Sequence, residues 1–422
     1  MGKKNLWLFL IARFISYTGS GVQMIALPLY ILDKTGSGTL MGVFSVLTLV
    51  PMLLTAPFSG IIGDRKNRRN VMIATDIGRG ALICIMGFLA MMGEFSIYTL
   101  FALQVFISIM DSIFNSSSQA LLPDLISSEQ LIEGNSLKGG LDAAAYILGP
   151  ALGGVIYGIW GIKMVFIING SSFFISGFLT LLIIYKHVNV VKEKINPKVF
   201  LNENIEVLKF IRLKKGLIQL FSFAMISNFL LAPIFDIVMP YALKKGIGFS
   251  SQYYGYVMGF FTVGILIGNV AISIKFKNLG LKKLMRLGLI IETIVSLIFS
   301  LSIFPVSVSF LGGAGLKLFT FIATCAAFMG IFNAFVNTPI STNLQNLVPQ
   351  EMRSRFFAIL GMFSQGAIPL GSLIFGILLD LMKYYYLMAA VIILATIAAS
   401  VFLIFACDEA YEAKDLSTNL AN

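Results

Sequence analysis

Charged residues are scarce in this sequence of 422 amino acids. Asp, Glu, Lys and Arg make up 12% of the chain, whereas soluble domains contain roughly 25%. Hydrophobic residues make up 57%, and the mean hydropathy is +0.89. A soluble fold of this size would expose large apolar patches, so the composition excludes a water-soluble protein and predicts a chain embedded in lipid.

Histidine and cysteine are also rare. The chain has one histidine, His187, and three cysteines, Cys84, Cys325 and Cys407, each of which lies inside an apolar run. Zinc and haem sites need clustered ligands at short spacings, so this pattern excludes a transition-metal site and gives no support to a disulfide. A phosphate-binding Gly-Lys-Ser/Thr loop is missing as well, which argues against direct use of ATP. We therefore expect no metal and no cofactor.

Apolar stretches dominate what is present, and each crossing of the hydrocarbon core takes about 20 residues. Twelve stretches meet this length, at residues 6–32, 40–62, 71–92, 97–121, 139–160, 164–185, 217–241, 252–274, 284–304, 318–340, 356–379 and 384–406. They predict an all-α membrane protein with twelve transmembrane helices. Lys3 and Lys4 ahead of the first stretch resemble a signal peptide, but Arg13 interrupts it. We expect a retained helix, with a cleaved signal as the alternative.

The two sets of six stretches are separated by one long polar segment. This segment, residues 186–216, contains Asn196-Pro197, a combination typical of a helix start. Apolar residues follow at helical spacing, namely Leu201, Ile205, Leu208 and Ile211. The pattern predicts an amphipathic surface helix, with a disordered linker as the alternative. The expected organisation is a bundle at 1–185, the linker at 186–216, a second bundle at 217–406 and a tail at 407–422.

The positive charges show a strong bias in position. The formal net charge is +11, from 31 Lys and Arg against 20 Asp and Glu. If the N-terminus is inside, 23 of the 31 fall in cytoplasmic loops and ends and 6 on the opposite face. This asymmetry predicts that both termini are cytoplasmic, in a multi-pass protein of the plasma membrane. The charge excess is thus explained by topology, and we expect no nucleic-acid partner.

An internal repeat links the two halves. Residues 122–129 read LPDLISSE, and residues 344–351 read LQNLVPQE, at an offset of 222. The same offset carries Asn115 onto Asn337 and Gly149 onto Gly371 without a gap. Transporters are commonly built from such duplicated halves, so the repeat favours a 6+6 arrangement with a pseudo-symmetry axis.

The loop after the second stretch carries a recognisable motif. Residues 60–69 read GIIGDRKNRR: a glycine, three residues, Asp-Arg, two residues and a basic pair. This resembles the signature loop of the major facilitator superfamily, although Asn67 stands where that family usually has glycine. The resemblance implies the fold of that superfamily, a monomer, and a cytoplasmic gating loop made by Gly60, Asp64, Arg65, Arg68 and Arg69.

Further motifs in the first half narrow the resemblance. Asp76-Ile77-Gly78-Arg79, Gln119–Leu125 and a later glycine-rich run look like the superfamily branch that contains bacterial macrolide-type and siderophore exporters. The glycine-rich run consists of Gly149, Pro150, Gly153 and Gly154 among small residues. Part of the family's antiporter motif looks similar, but small residues also let helices approach closely. We expect a helix-packing role for them.

Ionisable residues inside the bilayer are costly, so each needs a reason. Asp111 lies mid-helix and is predicted to exchange protons, although permanent pairing would explain it equally simply. Arg13 and Asp142 are expected at similar depth, as a switching or a static ion pair. Asp76 and Arg79 are expected to form a structural pair, and no role is assigned to Glu292.

In the superfamily, stretches one, four, seven and ten line the substrate cavity. The resemblance therefore predicts ten cavity residues: Tyr17, Ser20, Met24, Gln104, Ser108, Asn115, Asn228, Asp236, Asn333 and Asn337.

The function that these features favour is secondary active transport. We predict proton-coupled export of amphiphilic or drug-like molecules by alternating access, with the bilayer, a small molecule and protons as partners. An importer of a small metabolite is the alternative. A membrane enzyme needs a nucleophile with a base, or a metal cluster, at membrane depth, and neither is found, so we expect no enzymatic activity. A non-transporting receptor on the same fold stays open.

Overall fold

The computed structural model describes residues 2–93, 95–127, 130–185, 197–276 and 278–412. Within these ranges the chain is almost entirely helical and contains no β-strand. It divides into two compact units, residues 1–191 with 239–259 (unit 1) and residues 192–238 with 260–422 (unit 2). Residues 239–259 belong to the second half of the sequence, yet they pack within unit 1.

Unit 1 is built mainly from five long helices. They are α1 (Gly2–Thr35), α2 (Gly38–Arg65), α3 (Arg68–Met92), α4 (Ile97–Leu125) and α5 (Leu131–Leu181). Polar caps explain several of the breaks, because the first N–H groups of a helix need acceptors. The Ser37 hydroxyl accepts from the Leu40 N–H at 3.3 Å, and the Asn67 side chain accepts from the Asn70 N–H at 3.2 Å.

Gly161 divides α5 into two parts. Its φ of 72° lies in the left-handed region, which glycine adopts without a steric penalty. The described residues contain 11 helices that are long and apolar enough to cross a membrane, and one of them runs through this break, from Glu133 to Leu181. Its two parts correspond to the predicted stretches 139–160 and 164–185. The predicted all-α membrane fold is confirmed.

Unit 2 contains the helices of the second half. They are α6 (Pro197–Leu213), α7 (Lys215–Pro233), α10 (Leu281–Ser302), α11 (Pro305–Phe310), α12 (Leu316–Leu347), α13 (Gln350–Leu381), α14 (Tyr384–Phe405) and α15 (Asp408–Tyr411). The short helix α8 (Met239–Tyr241) lies in unit 1, and α9 (Ser251–Ile274) contributes to both units. Tyr411 of α15 is 1% exposed and packs against Phe402, so the predicted tail begins with residues that belong to the core of unit 2.

Helix α7 ends at a proline, Pro233, and a second proline, Pro240, follows in α8. After Pro233 the backbone continues through a π-helical turn (Ile234–Val238), and a second π-helical turn (Ala242–Ile247) follows Tyr241. A proline has no N–H to donate and its ring crowds the preceding turn, which explains why regular hydrogen bonding stops here. The carbonyl of Phe229, four residues before Pro233, is approached by the backbone of Gly371 in α13.

The linker region contains the helix α6, and part of it packs on unit 2. Val207 is fully buried and Ile211 is 7% exposed, and both join the core of unit 2. Ile205 and Leu208, which were predicted on the apolar face, are 44% and 41% exposed. The side chain of Leu201 and all of Asn196 lie outside the described residues. Val207 and Ile211 therefore pack on unit 2, while Ile205 and Leu208 stay available to a membrane surface, and the predicted surface position of the helix stays a prediction.

The first helix packs on the first part of α5 through backbone-to-backbone contacts. A Cβ added at Gly149 would lie 2.7 Å from the Cα of Gly21, and one added at Gly153 would lie 2.5 Å from the carbonyl oxygen of Val22. A Cβ at Gly154 would meet Gly255 of α9 in the same way. Pro150 also contributes, since its Cδ lies beside Gly21. Larger side chains would therefore force these helices apart.

Substituting Gly153 by alanine should lower the stability of the protein. The new methyl group cannot avoid the Val22 carbonyl without moving α1, and overpacking of this kind costs typically about 1–3 kcal/mol. Gly140→Ala is the matched control, because it makes the same change in the same helix where nothing lies within 4 Å. The control should be neutral or stabilising, since alanine favours a helix. Thermal unfolding of the purified variants measures both, and equal midpoints would contradict the packing role.

Candidate functional site

Arg79 of α3 is the centre of a buried charge cluster in unit 1. Its Nη2 donates to Asp76 Oδ1 at 2.5 Å, one helical turn away, and its Nη1 donates to Asp111 Oδ1 of α4. Nη2 also donates to the Ser16 hydroxyl of α1 at 3.2 Å. The guanidinium lies over two rings, 4.3 Å from the centroid of Phe114 and 4.2 Å from that of Phe173. One arginine therefore ties α1, α3, α4 and α5 together.

Asp76 is held more completely than Asp111. It is 0% exposed, and besides Arg79 it accepts from the hydroxyls of Ser16 at 3.2 Å and Ser176 at 2.7 Å. The Asp111 side chain is 25% exposed. The predicted structural pair of Asp76 and Arg79 is thus present, and Asp111, predicted as a proton site, shares the same arginine.

A second ion pair joins α1 to α5. Arg13 Nε donates to Asp142 Oδ1 at 2.6 Å and Nη2 donates to Oδ2 at 3.0 Å, a bidentate geometry that is strong and specific. Arg13 Nη1 also donates to the Ser118 hydroxyl of α4, and its guanidinium lies 4.1 Å from the ring centroid of Tyr17. The Lys138 amine is 3.2 Å from Asp142 Oδ2. The pairing of Arg13 with Asp142 that depth predicted is present.

Several predicted cavity residues of unit 1 are joined by hydrogen bonds. The Tyr17 hydroxyl donates to Asn115 Oδ1. Gln104 accepts from Gln23 Nε2 at 3.1 Å and donates to the Ser108 hydroxyl at 3.2 Å. Ser20 instead donates to the Ser16 carbonyl of its own helix at 3.1 Å, and Met24 is 43% exposed. Four of these six residues therefore form two hydrogen-bonded pairs, Tyr17 with Asn115 and Gln104 with Ser108.

The basic motif after α2 fastens neighbouring helices. Arg68 Nη1 donates to Asp124 Oδ2 at 2.7 Å and to the Ala120 carbonyl at 3.0 Å, and Arg69 Nη2 donates to the Leu181 carbonyl at 2.6 Å. These contacts tie the start of α3 to the ends of α4 and α5. The side chains of Asp64 and Arg65, and the surroundings of Gly60, lie outside the described residues.

The predicted residues of unit 2 line one cavity, with a single departure. The cavity has a volume of about 350 Å³ and lies between α7, α9, α10, α12 and α14. Asn228, Asn333 and Asn337 line it, and so does Glu292, to which sequence patterns assigned no role. Asp236 does not line it, although it lies in the same π-helical turn as Phe235, which does.

One charged cluster of unit 1 was missed by sequence reasoning. Asp33, near the end of α1, accepts from the Tyr157 hydroxyl of α5 and pairs with the Lys244 amine. Lys244 also donates to the Ser251 hydroxyl at 2.5 Å. The predicted spans leave Asp33 and Lys244 in connecting loops, where charged residues are ordinarily solvated. The one signal in the sequence was that each of them lies just after the end of a predicted span.

This helical fold with two related halves can be compared with known proteins. A sequence profile of the Major Facilitator Superfamily matches residues 9–237 and 221–420, which together cover nearly the whole chain. The chain belongs to the major facilitator superfamily. It is therefore a multi-pass membrane transporter and not an enzyme, and the superfamily is the one that the loop motif at residues 60–69 resembles.

Two relatives of this superfamily member are efflux or siderophore proteins. The chain is 22% identical to macrolide efflux protein A of Streptococcus pyogenes over 382 residues, which are 90% of this chain and 91% of that protein. It is 21% identical to the staphyloferrin A transporter of Staphylococcus aureus over 375 residues, 88% of this chain and 89% of that one. These names agree with the exporter branch that the motifs of the first half resemble.

Solved transporters share the fold of this superfamily member. The nucleoside transporter NupG superposes with a TM-score of 0.72 at 13% identity, over 94% of this chain and 98% of that one. A bacterial homologue of the iron transporter ferroportin, in an inward-facing state, superposes with a TM-score of 0.70 at 17% identity, over 95% and 98%. At these identities the likeness shows the fold alone.

Replacing Arg79 should destabilise this transporter strongly. Arg79→Ala leaves Asp76 and Asp111 without their cation, and removing one partner from a buried pair costs about 3–5 kcal/mol. Asp111→Asn should cost less, because Arg79 keeps Asp76. The triple variant R79A/D76N/D111N should recover part of the loss, since it leaves no uncompensated charge. Thermal unfolding in detergent compares the three, and an Arg79→Ala protein as stable as wild type would contradict the role of the cluster.

Proposed function

We propose that this transporter exports amphiphilic small molecules from the cell in exchange for protons, by alternating access. The protein lies in the plasma membrane with both termini in the cytoplasm, as the distribution of Lys and Arg supports. The substrate class and the direction are supported by the efflux relatives and by the apolar, aromatic-rich composition, with 13% Phe, Trp and Tyr. The basic residues at 65–69 would act at the cytoplasmic gate.

The observation that carries proton coupling is the form of the two ion pairs in unit 1. In each pair the arginine is buried, with side chains 5% exposed for Arg13 and 3% for Arg79, while the carboxylate is partly exposed, 28% for Asp142 and 25% for Asp111. The carboxylate is the member that a proton can reach. Protonation removes its charge and releases the arginine from this pair, so that Arg13 needs another partner within the membrane, whereas Arg79 keeps Asp76.

Such a change favours a different arrangement of the helices that carry the pair. Arg13 and Asp142 join α1 to α5, and Arg79 and Asp111 join α3 to α4, so loss of either pair weakens a contact between helices. Asp76 would keep Arg79 partly compensated when Asp111 is protonated. This arrangement lets Asp111 change its charge without leaving the arginine isolated.

Transport assays on inverted membrane vesicles test the proposal. With an inward-acidic proton gradient and the dye Hoechst 33342 as probe, wild-type protein should accumulate the dye, and a protonophore should abolish the accumulation. Asp111→Asn and Asp142→Asn should each lower gradient-driven uptake at least tenfold, because neither amide can exchange a proton. Both should still catalyse dye exchange between the two sides without a gradient, which requires binding and movement alone.

Glu206→Gln is the matched control, because it makes the same carboxyl-to-amide change at an exposed position of α6. It should leave uptake unchanged. Wild-type uptake that is insensitive to the protonophore would overturn proton coupling. Unchanged uptake in the Asp111 and Asp142 variants would remove these two carboxylates from it and leave the coupling to other groups.

A further inference from the structure

Glu292 of α10 is a membrane-embedded carboxylate without a resident cation. Its Oε1 accepts a hydrogen bond from Asn333 Nδ2 of α12 at 3.1 Å. Among the residues that the structure describes, no lysine or arginine forms an ion pair with it, and Oε2 receives no hydrogen bond. Asp76, Asp111 and Asp142 of unit 1, in contrast, each lie beside an arginine.

The position of Glu292 in unit 2 is comparable to that of Arg79 in unit 1. Arg79 is the twelfth residue of α3, and Glu292 is the twelfth residue of α10. Asp111 of α4 corresponds to Asn333 of α12 at the offset of 222 that relates the two halves. Unit 1 therefore has an arginine bound to an aspartate where unit 2 has a glutamate bound to an asparagine. The acid in unit 2 is present without a base.

The wall of the surrounding cavity combines this one carboxylate with neutral groups. Asn337 Nδ2 donates to Asn333 Oδ1 at 2.9 Å, and Asn333 donates to Glu292, so the two amides hold the carboxylate in place. Three phenylalanines line the same cavity, Phe223, Phe235 and Phe261, and the rings of Phe235 and Phe261 are in contact, tilted by 39° with centroids 4.7 Å apart. The remaining wall is mainly aliphatic or alanine.

The geometry points to a binding site for a monovalent organic cation in this cavity of unit 2. An isolated carboxylate in a bilayer is unfavourable unless a positive charge compensates it, and here a ligand would supply that charge. The ammonium or phosphonium group of the ligand pairs with Glu292. Its apolar part packs on the phenylalanines, whose faces also attract cations. The inference rests on the proposed function, since it specifies the charge of the amphiphilic substrate.

Cavity size decides between an organic and an inorganic cation. About 350 Å³ is within the range of small-molecule sites, whereas one water-sized ion would occupy roughly a tenth of it. Such an ion would also leave the apolar part of the wall, including the three phenylalanines, without a contact. An organic cation fills the space and needs few polar partners, which the Glu292 carboxylate and the Asn228 amide provide.

Equilibrium binding to the full-length protein in lipid nanodiscs tests the site. The probes are radiolabelled methyltriphenylphosphonium and triphenylphosphine oxide, which have similar shapes but differ in charge. Wild type should bind the phosphonium at least tenfold more tightly than the oxide. Glu292→Gln should weaken phosphonium binding at least tenfold and leave oxide binding unchanged. Glu292→Asp, which keeps the charge, should retain most of the preference for the cation.

Two further variants guard the interpretation. Asp408→Asn changes a carboxyl group of unit 2 outside the cavity and should bind both probes like wild type. Ala395→Phe places a ring in the cavity and should displace both probes, and it tests the location even if Glu292→Gln does not fold. Unchanged phosphonium binding in either Glu292→Gln or Ala395→Phe would overturn the site, and so would wild-type protein that does not distinguish the probes.

The outcome of this binding experiment is independent of the transport assay, because binding is measured without a proton gradient. Phosphonium binding that depends on Glu292, in a protein that shows no gradient-driven uptake, would uphold the site and overturn proton-coupled export. Gradient-driven dye uptake by a protein whose phosphonium binding ignores Glu292 would uphold export and overturn the site.

Discussion

The cost of an uncompensated charge inside the bilayer is the constraint on which the polar structure of this transporter depends. In unit 1 it is met by the way α1 and α5 pack. The two helices run parallel in register, so that Arg13 meets Asp142, Gly21 meets Gly149, and Asp33 meets Tyr157 further along. Glycines bring the backbones into contact, and this close approach sets the distance at which the charges pair.

The same constraint applies to both units, but the charged residues that meet it differ although the sequences repeat. The glycine contact recurs, since Gly149 packs on α1 and Gly371 packs on α7 at the equivalent position. The charges do not recur, since α3 carries Arg79 and α10 carries Glu292, each as the twelfth residue of its helix. Backbone packing is thus shared between the halves. The charged side chains differ between the halves, and the acid that we propose to bind a ligand, Glu292, lies in unit 2.

The sequence was sufficient for features that depend on composition and spacing along one helix. It predicted the spans, the repeat, the Asp76–Arg79 pair one turn apart and, from depth in the bilayer, the Arg13–Asp142 pair. It could not predict that Arg79 also binds Asp111, because this contact depends on how α3 and α4 rotate about their axes. Rotation likewise decided which face of α6 is buried. Spacing fixes which residues share a face, but not what that face meets.

Glu292 shows what the sequence leaves open most clearly. A lone acid in this span offered no basis for a role, because neither its counter-charge nor its surroundings can be read from α10 alone. The contact with Asn333 and the cavity beside it change that interpretation. In unit 1, Asp111 and Asp142 are already paired with arginines, so in the proposed mechanism a proton acts by breaking an existing pair. Unit 2 leaves an acid uncompensated, so a cationic ligand is the species that can complete it. The two halves would then respond to different species, one to the driving ion and the other to the substrate.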